Sequence, residues 1–506
     1  MTDKFEALQQ KLVDIWQQIS TNLDEHYDEN HTVVVIPSLT IDLEFPSYAQ
    51  QAYEERLLFL LFLLRKPDIR IIFVTSQPIK ASIIDYYLEL IPGVVSAHAR
   101  KRLFLLSPES GSGEPLTQKI LDRPHFIRQI QDHIQDFDRA HIVPFNTTDL
   151  ERELALKIGI PMYAPDPRFF AFGTKSGCRH IFENEEVQHP LGVEDIFSEA
   201  ILLDAIIGMR AKRPEMQQVV IKLNEGVSGM GNVVLDLSSL PASGAANEQS
   251  ALIEALKTLE FDEAEVTYDI YLEKLIAHGG IVEEYINGKE YYSPSTQLRL
   301  TPLGEVELLS THDQLLGGLG GQSYLGALFP ANPEYSAAMV RDSIKIGERF
   351  AKEGILGRFG VDFVVVKSER DVWETYAIEV NLRKGGTTAP FLILQYLTDG
   401  RYDDETGLFT TPFGQAKYYI ATDHLESHDY KMFTGDDLMD ILSRYRLHYN
   451  HATQTGIVLH MITGIAELGR VGLTVIENSH ELAEQRYQEF IKILDQESSK
   501  RLAIEV

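Results

Sequence analysis

The chain has 506 residues, of which 44% are apolar and 24% are charged, and its formal net charge is −29. This composition excludes an intrinsically disordered chain. The strong negative charge argues against a nucleic-acid backbone or an anionic membrane as the main partner, because both need a basic protein face. The length exceeds what one hydrophobic core usually supports, so we expect several domains.

Targeting and redox signals are sparse. The single cysteine, Cys178, excludes a disulfide framework and a cysteine metal cluster, and it is expected to be a small buried hydrophobe. The segment 1–18 has the pattern of a polar amphipathic helix rather than a signal peptide. The most apolar run, 57–64, is too short to span a bilayer and is expected to be a buried helix. These features predict a cytoplasmic protein.

The first third of the chain alternates short apolar strands with longer amphipathic segments, which is typical of an α/β domain with a parallel sheet. The candidate strands are 32–36, 69–74, 102–106 and 141–145. None of them is followed by G-x-G-x-x-G, so a dinucleotide site is not expected. The proline-rich segment 163–168 predicts the end of this domain.

A lysine inside the next apolar strand precedes a glycine-rich loop. Lys222 lies in the segment 219–223, and glycines follow at 226, 229 and 231. A buried strand lysine is unfavourable unless it meets an anion, and small residues let backbone N–H groups approach a phosphate. The pattern predicts a polyphosphate site, with a plain hairpin as the alternative. It is not a Walker A motif, because the lysine precedes the glycines.

The strand 281–286 carries two adjacent acids and is followed by an Asn-Gly turn and Glu290. Such a segment between domains can offer backbone groups to an adenine edge while an acid takes the ribose hydroxyls. The alternative is an edge strand with solvated acids. Upstream, Lys175 lies at the start of a predicted helix, where free N–H groups attract anions.

Metal-binding chemistry is predicted where two strands end. Glu379, Asn381 and Arg383 occupy alternate positions and therefore face one side of a strand, and Asp362 interrupts a neighbouring apolar strand. Carboxylate and amide oxygens suit Mg²⁺, and the arginine can neutralise a phosphoryl group. Between these features, His312 precedes a loop with four glycines in 317–321, which predicts a lid.

In order and spacing, these residues resemble the ATP-grasp ligases over roughly 150–390. The blocks 379–388, 311–318 and 456–461 are similar to the peptide ligases of the pheganomycin biosynthetic type. The resemblance implies a Rossmann-like pre-ATP-grasp domain over 1–165, ATP-grasp subdomains over 166–285 and 286–413, and a small C-terminal α+β domain over 414–506. Two positions depart from the family pattern: Gly360 stands in place of an arginine, and Ala389 in place of a histidine.

The resemblance also implies roles for individual residues. Nucleotide contacts fall on Lys175, Lys222, Gly226, Ser228, Gly229, Met230, Gly231, Glu283, Glu284, Tyr285, Ile286 and Glu290. Metal ligands fall on Asp362, Glu379 and Asn381, while Arg383 and Lys222 face the transferring phosphoryl group. His312 is the candidate base for the incoming amine.

The function expected from this set is ATP-dependent ligation of a carboxylate to an amine through an acyl phosphate, with ATP and Mg²⁺ or Mn²⁺ as cofactors. The substrates would be amino acids or short peptides, and the oligomeric state stays open, with a homodimer as one option. Two alternatives remain: a carboxylase or phosphotransferase with the same nucleotide site, and a scaffold that binds ATP without turning it over.

Overall fold

A computed structural model of the chain describes residues 2–21, 31–40, 49–225, 231–261, 266–317 and 323–502. Its first layer is a four-stranded parallel sheet in the order β3-β2-β1-β4. The strands are β1 (His31–Ile36), β2 (Ile69–Val74), β3 (Leu103–Leu106) and β4 (Ala140–Pro144). All four predicted strands of this region are therefore confirmed, and they run parallel as expected.

Helices cover both faces of this sheet, since side chains of β1 alternate between two cores: Val33 and Val35 belong to one cluster and Val34 and Ile36 to the other. The helices are α1 (Thr2–Gln9), α2 (Lys11–Thr21), α3 (Gln50–Glu54), α4 (Ala81–Glu89), α5 (Ser96–Arg100), α6 (Leu116–Leu121), α7 (Pro124–Asp132) and α8 (Asp149–Ile158), with 3-10 helices at Glu55–Arg65 and Phe137–Arg139. The leucine-rich run predicted as a buried helix forms the buried 3-10 helix Glu55–Arg65.

A second, antiparallel sheet follows in the order β5-β8-β6-β7. Its elements are a 3-10 helix (Pro167–Gly173), α9 (Lys175–Asn184), β5 (Gly192–Ile196), α10 (Glu199–Lys212), β6 (Gln218–Leu223), β7 (Asn232–Asp236), α11 (Glu248–Lys257), α12 (Tyr268–His278) and β8 (Gly280–Glu284). One face of the sheet packs on α10, α11 and α12 through an apolar cluster. The opposite face is free to present polar side chains to a cleft.

The largest sheet has nine strands in the order β14-β13-β10-β11-β12-β17-β19-β18, with β9 paired to β13. Its strands are β9 (Tyr291–Tyr292), β10 (Pro294–Leu300), β11 (Val306–Gly317), β12 (Ser323–Phe329), β13 (Gly357–Lys367), β14 (Trp373–Asn381), β17 (Tyr418–Glu426), β18 (Gly456–His460) and β19 (Arg470–Glu477). Strands β15 (Arg401–Asp403) and β16 (Leu408–Thr410) form a separate hairpin. The last three strands of the large sheet lie beyond residue 413, so the sheet continues across that predicted boundary.

Helices complete this half of the chain: α13 (Pro333–Glu353), α14 (Thr388–Thr398), α15 (Gly435–Arg444), α16 (Gly464–Leu468), α17 (His480–Leu502) and the 3-10 helix His428–Met432. Cys178 is buried, as predicted, and burial raises the pKa of its thiol to about 12. Within the described ranges, no helix combines the length and the apolar character that a bilayer crossing requires.

Candidate active site

The predicted metal ligands come together on the adjacent strands β13 and β14. In the antiparallel register Asp362 lies opposite Glu379, and Gly360 lies opposite Asn381. The side-chain amide of Asn381 donates to Asp362 Oδ2 at 2.9 Å, and Gln314 Nε2 donates to Asp362 Oδ1 at 2.8 Å. Cross-strand partners share one face of a sheet, so both carboxylates face the same cleft.

Three ionisable side chains, Asp362, Glu379 and Arg383, lie close together at this end of β13 and β14. Burial, and then the neighbouring Glu379, raise the pKa of Asp362 to about 7. Burial lowers the pKa of the Arg383 guanidinium, and the charges of Glu379 and Asp362 oppose that shift. Two facing, partly buried carboxylates favour a cation beside them, because like charges at close range are unfavourable.

The donor chemistry fits Mg²⁺ bound together with phosphate oxygens. Among the described residues, this site included, no group of three or more His, Cys, Asp or Glu side chains is placed to hold a metal. Asp362, Glu379 and the amide oxygen of Asn381 provide hard oxygen ligands but too few of them for a complete protein cage. Mg²⁺ commonly completes its shell with substrate phosphates and water.

Lys175 contacts one of the predicted metal ligands, Glu379. It is the first residue of α9, whose N-terminus is capped by Thr174 Oγ1, which accepts from Gly177 N at 3.1 Å. Its buried Nζ forms an ion pair with Glu379 Oε2. The predicted phosphate lysine therefore balances the charge of a predicted metal ligand in this structure, within reach of the same site.

Lys222 is held on the opposite wall of the cleft by an ion pair. Its Nζ pairs with Glu283 Oε1, and Arg179 Nη1 lies 3.1 Å from Glu283 Oε2. Lys222 and Glu283 are 4% and 2% exposed, so both charges are desolvated and depend on each other. Asn232, which lies opposite Lys222 in the β6–β7 register, has a buried Oδ1 without a hydrogen-bond partner.

A single cleft lies between these two walls. We name it the central cleft. Among its lining residues are Lys222, Glu283, Glu284, Tyr285, Ile286, Asp362, Glu379, Asn381 and Arg383. It lies between the second sheet and the nine-stranded sheet. A desolvated lysine on one wall thus faces a paired-carboxylate site on the other, which is the charge arrangement that a metal-bound polyphosphate requires.

Two models of known protein families match parts of this sequence. A family model described as "IQCH-like, ATP-grasp" matches residues 169–266 and 260–405, the segment that holds both walls of the central cleft. This segment is similar to ATP-grasp domains over 169–405. A second model, the PGM1 C-terminal domain, matches residues 437–490, downstream of that segment.

Two curated proteins are similar in sequence to this chain over most of its length. An L-propargylglycine--L-glutamate ligase from Streptantibioticus cattleyicolor is 28% identical over 87% of this chain and 89% of its own length. The IQ motif-containing protein H of Danio rerio is 22% identical over 78% of this chain, which spans 42% of that protein.

Solved structures with the same fold have little sequence identity to this chain. The biotin carboxylase–β-γ-ATP complex from Campylobacter jejuni has a TM-score of 0.52 at 13% identity and covers 90% of this chain and 89% of its own. The N5-carboxyaminoimidazole synthetase from Staphylococcus aureus complexed with ADP has a TM-score of 0.51 at 11% identity, with coverages of 92% and 99%. The predicted α/β fold class, a parallel sheet followed by an ATP-grasp fold and a C-terminal α+β unit, is confirmed.

Four described residues predicted to act in the ATP-grasp site do not line the central cleft: Lys175, Gly231, Glu290 and His312. Glu290, the ribose candidate, is exposed and its Oε1 lies 3.1 Å from Lys367 Nζ. His312, the candidate base, is fully buried, and its Nε2 lies 2.6 Å from the Tyr419 hydroxyl. Burial lowers the pKa of His312 to about 3. The positions of Glu290 and His312 correct both assignments, because neither side chain lines the central cleft.

Part of the predicted phosphate loop lies outside the described residues. Gly226, Ser228, Gly229 and Met230 fall there, as do residues 318–322 of the second glycine-rich segment. Gly231 is described and begins the return strand with φ +84°, a backbone conformation that favours glycine. Its carbonyl accepts from Tyr271 OH at 2.9 Å, which ties that end of the loop to α12.

Several lining residues were missed by sequence reasoning. They are Asn232, Ser293, Ser295, Gln297, Gln314, Tyr324 and Thr387. A signal existed for three of them, since Ser293, Ser295 and Gln297 are polar at alternate positions entering and along β10, the period-2 pattern of a strand with one polar face. Asn232 and Tyr324 offered no such pattern.

The departure at Gly360 has a local explanation. A Cβ built there would come within 2.7 Å of Gln297 Nε2 on the neighbouring strand. Gln297 is buried and lines the cleft next to Gly360. The glutamine side chain therefore takes the space that a side chain at 360 would need, which leaves Arg383 and Lys175 as the cationic side chains beside the carboxylates.

Proposed function

We propose that this chain is an ATP-dependent carboxylate–amine ligase that forms an amide bond through an acyl phosphate. The observation that carries the proposal is the convergence of Asp362, Glu379 and Arg383 with Lys222 on one cleft of an ATP-grasp domain. A relative that aligns over 87% of the chain is named an L-propargylglycine--L-glutamate ligase, which supports amino acids as the substrate class.

The residues divide the work of binding. Lys222 on one wall and Arg383 on the other hold the phosphates, and the segment Glu284 to Ile286 faces the adenine. Asp362, Glu379 and Asn381 would hold Mg²⁺, which supplies charge neutralisation for the phosphoryl group when bound. Because Lys175 pairs with Glu379, its ammonium also lies beside the phosphate end of the site.

The chemistry runs in two balanced steps. A substrate carboxylate oxygen attacks the γ-phosphorus, the bond to the β-phosphate oxygen breaks, and ADP leaves. The amine nitrogen then attacks the acyl carbon, the carbon–oxygen bond to phosphate breaks, and inorganic phosphate leaves as the nitrogen loses its proton. Arg383 would neutralise the charge that develops on the transferring phosphoryl group. Proteins catalyse phosphoryl transfer mainly by positioning the reactants and neutralising their charge.

This proposal is tested by offering all pairs of the twenty L-amino acids, with and without Mg²⁺-ATP, and measuring ADP and the mass of any product. We expect ADP to form only when an acid and an amine are both present, together with a product lighter than the pair by one water. ADP release that depends on bicarbonate alone would instead indicate a carboxylase. Tight ATP binding without ADP across the whole panel would indicate a scaffold.

The remaining expectations belong to the same proposal. A cytoplasmic location and ATP with Mg²⁺ or Mn²⁺ stay predictions from the sequence, and the oligomeric state stays open, with a homodimer as one option. The resemblance to ligases of the pheganomycin type also stays a prediction.

A further inference from the structure

Tyr324 lines the central cleft beside the glycine pair Gly385 and Gly386. It is the second residue of β12, which is the third strand from β13 in the order of the nine-stranded sheet. Its ring nevertheless reaches the segment that follows β14. A Cβ built on Gly386 would lie 2.7 Å from Tyr324 Cε1 and 3.1 Å from the hydroxyl oxygen. The side chain therefore extends along the sheet from β12 towards the strands that carry the proposed metal ligands.

The charges around the Tyr324 hydroxyl show on which side of the metal site it lies. Three of them act on it: Asp362, which lines the cleft, and Asp423 and Arg56, which do not. Asp423 belongs to β17 and Arg56 to the 3-10 helix that follows α3, so neither is part of the second sheet. The hydroxyl therefore lies beside the metal site on the side of the first domain and the last strands, away from the wall that carries Lys222.

This hydroxyl is a donor without an acceptor of its own. Burial, and then Asp423, raise the pKa of Tyr324, so the hydroxyl stays protonated at neutral pH. Both oxygens of Asp362 already accept from side-chain amides of other strands. Asp423 Oδ2 pairs with Arg56, and Asp423 Oδ1 lies 2.6 Å from His424 Nδ1. Among the described residues Tyr324 OH has no hydrogen-bond partner, and the side chain is only half-buried, so its O–H is available to an acceptor in the cleft.

The place of the hydroxyl matches the acid substrate rather than the nucleotide. In the proposed function the nucleotide lies between Lys222 and the metal carboxylates. A carboxylate that attacks the γ-phosphorus approaches from the opposite side, because the entering and leaving oxygens are roughly in line. Tyr324 bounds that side, and Arg383 lies three residues before Gly386. A carboxylate brings acceptors to a free O–H, whereas an amine brings N–H donors and matches it less well.

We propose that the Tyr324 hydroxyl donates a hydrogen bond to the acid substrate, at the carboxylate oxygen that does not attack the phosphorus. This inference rests on the proposed function. The same oxygen is the carbonyl oxygen of the acyl phosphate. When the amine nitrogen attacks, the carbonyl electron pair moves onto this oxygen, and it returns as the bond to phosphate breaks. The hydroxyl stabilises the negative charge in between and keeps its own proton.

The test uses hydroxylamine, which traps an acyl phosphate as a hydroxamate. Each L-amino acid is offered as the acid with hydroxylamine and Mg²⁺-ATP, and KM for the best acid, for ATP and for the amine is then measured. Tyr324→Phe removes only the hydroxyl. Gly386→Ala keeps the hydroxyl but displaces the ring, because its methyl group occupies the same space. Tyr445→Phe is the matched control, since that hydroxyl donates to Glu497 Oε1 at 2.9 Å and does not line the cleft.

We expect Tyr324→Phe to raise KM for the acid by about tenfold or more, because a hydrogen bond to a charged group is lost. KM for ATP should stay within about twofold of the wild-type value. Gly386→Ala should raise KM for the acid in the same way. The double variant should be little worse than either single variant, because both remove one interaction. Tyr445→Phe should match the wild type in every assay.

Three results would overturn the assignment of Tyr324: an unchanged KM for the acid in Tyr324→Phe, an equal rise in KM for the acid and for ATP, or a rise in KM for the amine alone. A different result, no hydroxamate from the wild-type protein with any acid, would refute the proposed function itself. The wild-type measurement therefore distinguishes a wrong residue from a wrong reaction.

Discussion

At the scale of single residues, the site is a balance of charges that a bound metal would rearrange. Glu379 is paired with Lys175, and Asp362 is bonded to the amides of Gln314 and Asn381. A metal bound by both carboxylates would draw Glu379 away from Lys175, whose buried ammonium would then need a phosphate oxygen as its partner. The pairs keep the ligands in place for the nucleotide.

Glu379→Ala should abolish ADP formation, because it removes one of the two carboxylates of the proposed metal site and leaves Lys175 without its partner. We expect a loss of about a hundredfold or more in kcat/KM for ATP. The control is Glu374→Ala on the same strand, whose exposed carboxylate bonds to Tyr376 OH. Normal turnover in Glu379→Ala would refute the metal assignment.

Lys222→Met should raise KM for ATP by about tenfold or more, since the methionine keeps the buried stem and removes the charge. Arg179 still pairs with Glu283 in this variant, so folding should be retained. Lys212→Met at the exposed end of α10 is the control, and steady-state kinetics at varied ATP is the measurement. An unchanged KM would restrict Lys222 to a structural ion pair.

At the scale of elements, the sequence predicted where the strands lie better than it predicted which distant elements pack against them. Period-2 alternation and β-branched runs identified the parallel strands and the metal strand pair, because these signals are local. The helical nature of 55–65 was expected, but its 3-10 geometry was not, since a uniformly apolar run shows no period. His312 was misjudged for a related reason: its strand position was clear, while the burial under Phe329 and Tyr419 depends on distant strands.

The segment after β14 is attached to the first domain by one buried hydrogen bond. Lys384 Nζ donates to Pro144 O at 2.6 Å, at the end of β4. Burial, and then Arg358, lower the pKa of Lys384 to about 7. This contact positions Gly385 and Gly386, which line the central cleft.

Lys384→Met should destabilise the protein by about 1–3 kcal/mol, because it leaves the buried Pro144 carbonyl without a donor. It should also lower kcat for amide formation, as the glycine pair loses its attachment. Urea unfolding and kinetics measure the two effects, with the exposed Lys101→Met as the control. A variant with wild-type stability and kcat would show that the contact is dispensable.

At the scale of the whole molecule, the first and last parts of the chain are joined around the site. Arg56 pairs with Asp423, and Thr463 N donates to Glu55 Oε2 at 3.1 Å across more than 400 residues of sequence. The strands β17, β18 and β19 extend the sheet that carries the metal site. No local sequence pattern predicts such contacts, which is why the sequence did not show how these distant parts of the chain meet.

The buried Glu55 makes stability depend on pH. Burial raises the pKa of the Glu55 carboxyl from its ordinary value of 4.5 to about 7. The folded state therefore keeps a proton between about pH 4.5 and 7 that the unfolded state has lost, so this stabilisation is present below pH 4.5 and disappears as pH rises through 7. Its contribution is roughly 2–3 kcal/mol.

Glu55→Gln should remove this part of the pH dependence, so that the free energy of unfolding falls less between pH 5 and pH 8 than in the wild type. The expected difference in slope amounts to roughly 2 kcal/mol over that range. Urea denaturation at several pH values is the measurement, and the exposed Glu89→Gln on α4 is the control. Parallel profiles for Glu55→Gln and the wild type would contradict the raised pKa.

The most direct test of the central claim follows one oxygen atom. The acid substrate found by the amino-acid panel is labelled with ¹⁸O in its carboxylate and incubated with the amine and Mg²⁺-ATP, and the inorganic phosphate is analysed by mass spectrometry. An acyl phosphate intermediate predicts one ¹⁸O in each phosphate released, formed in equal amount with ADP and amide. Phosphate without the label, at the same rate of amide formation, would contradict the account.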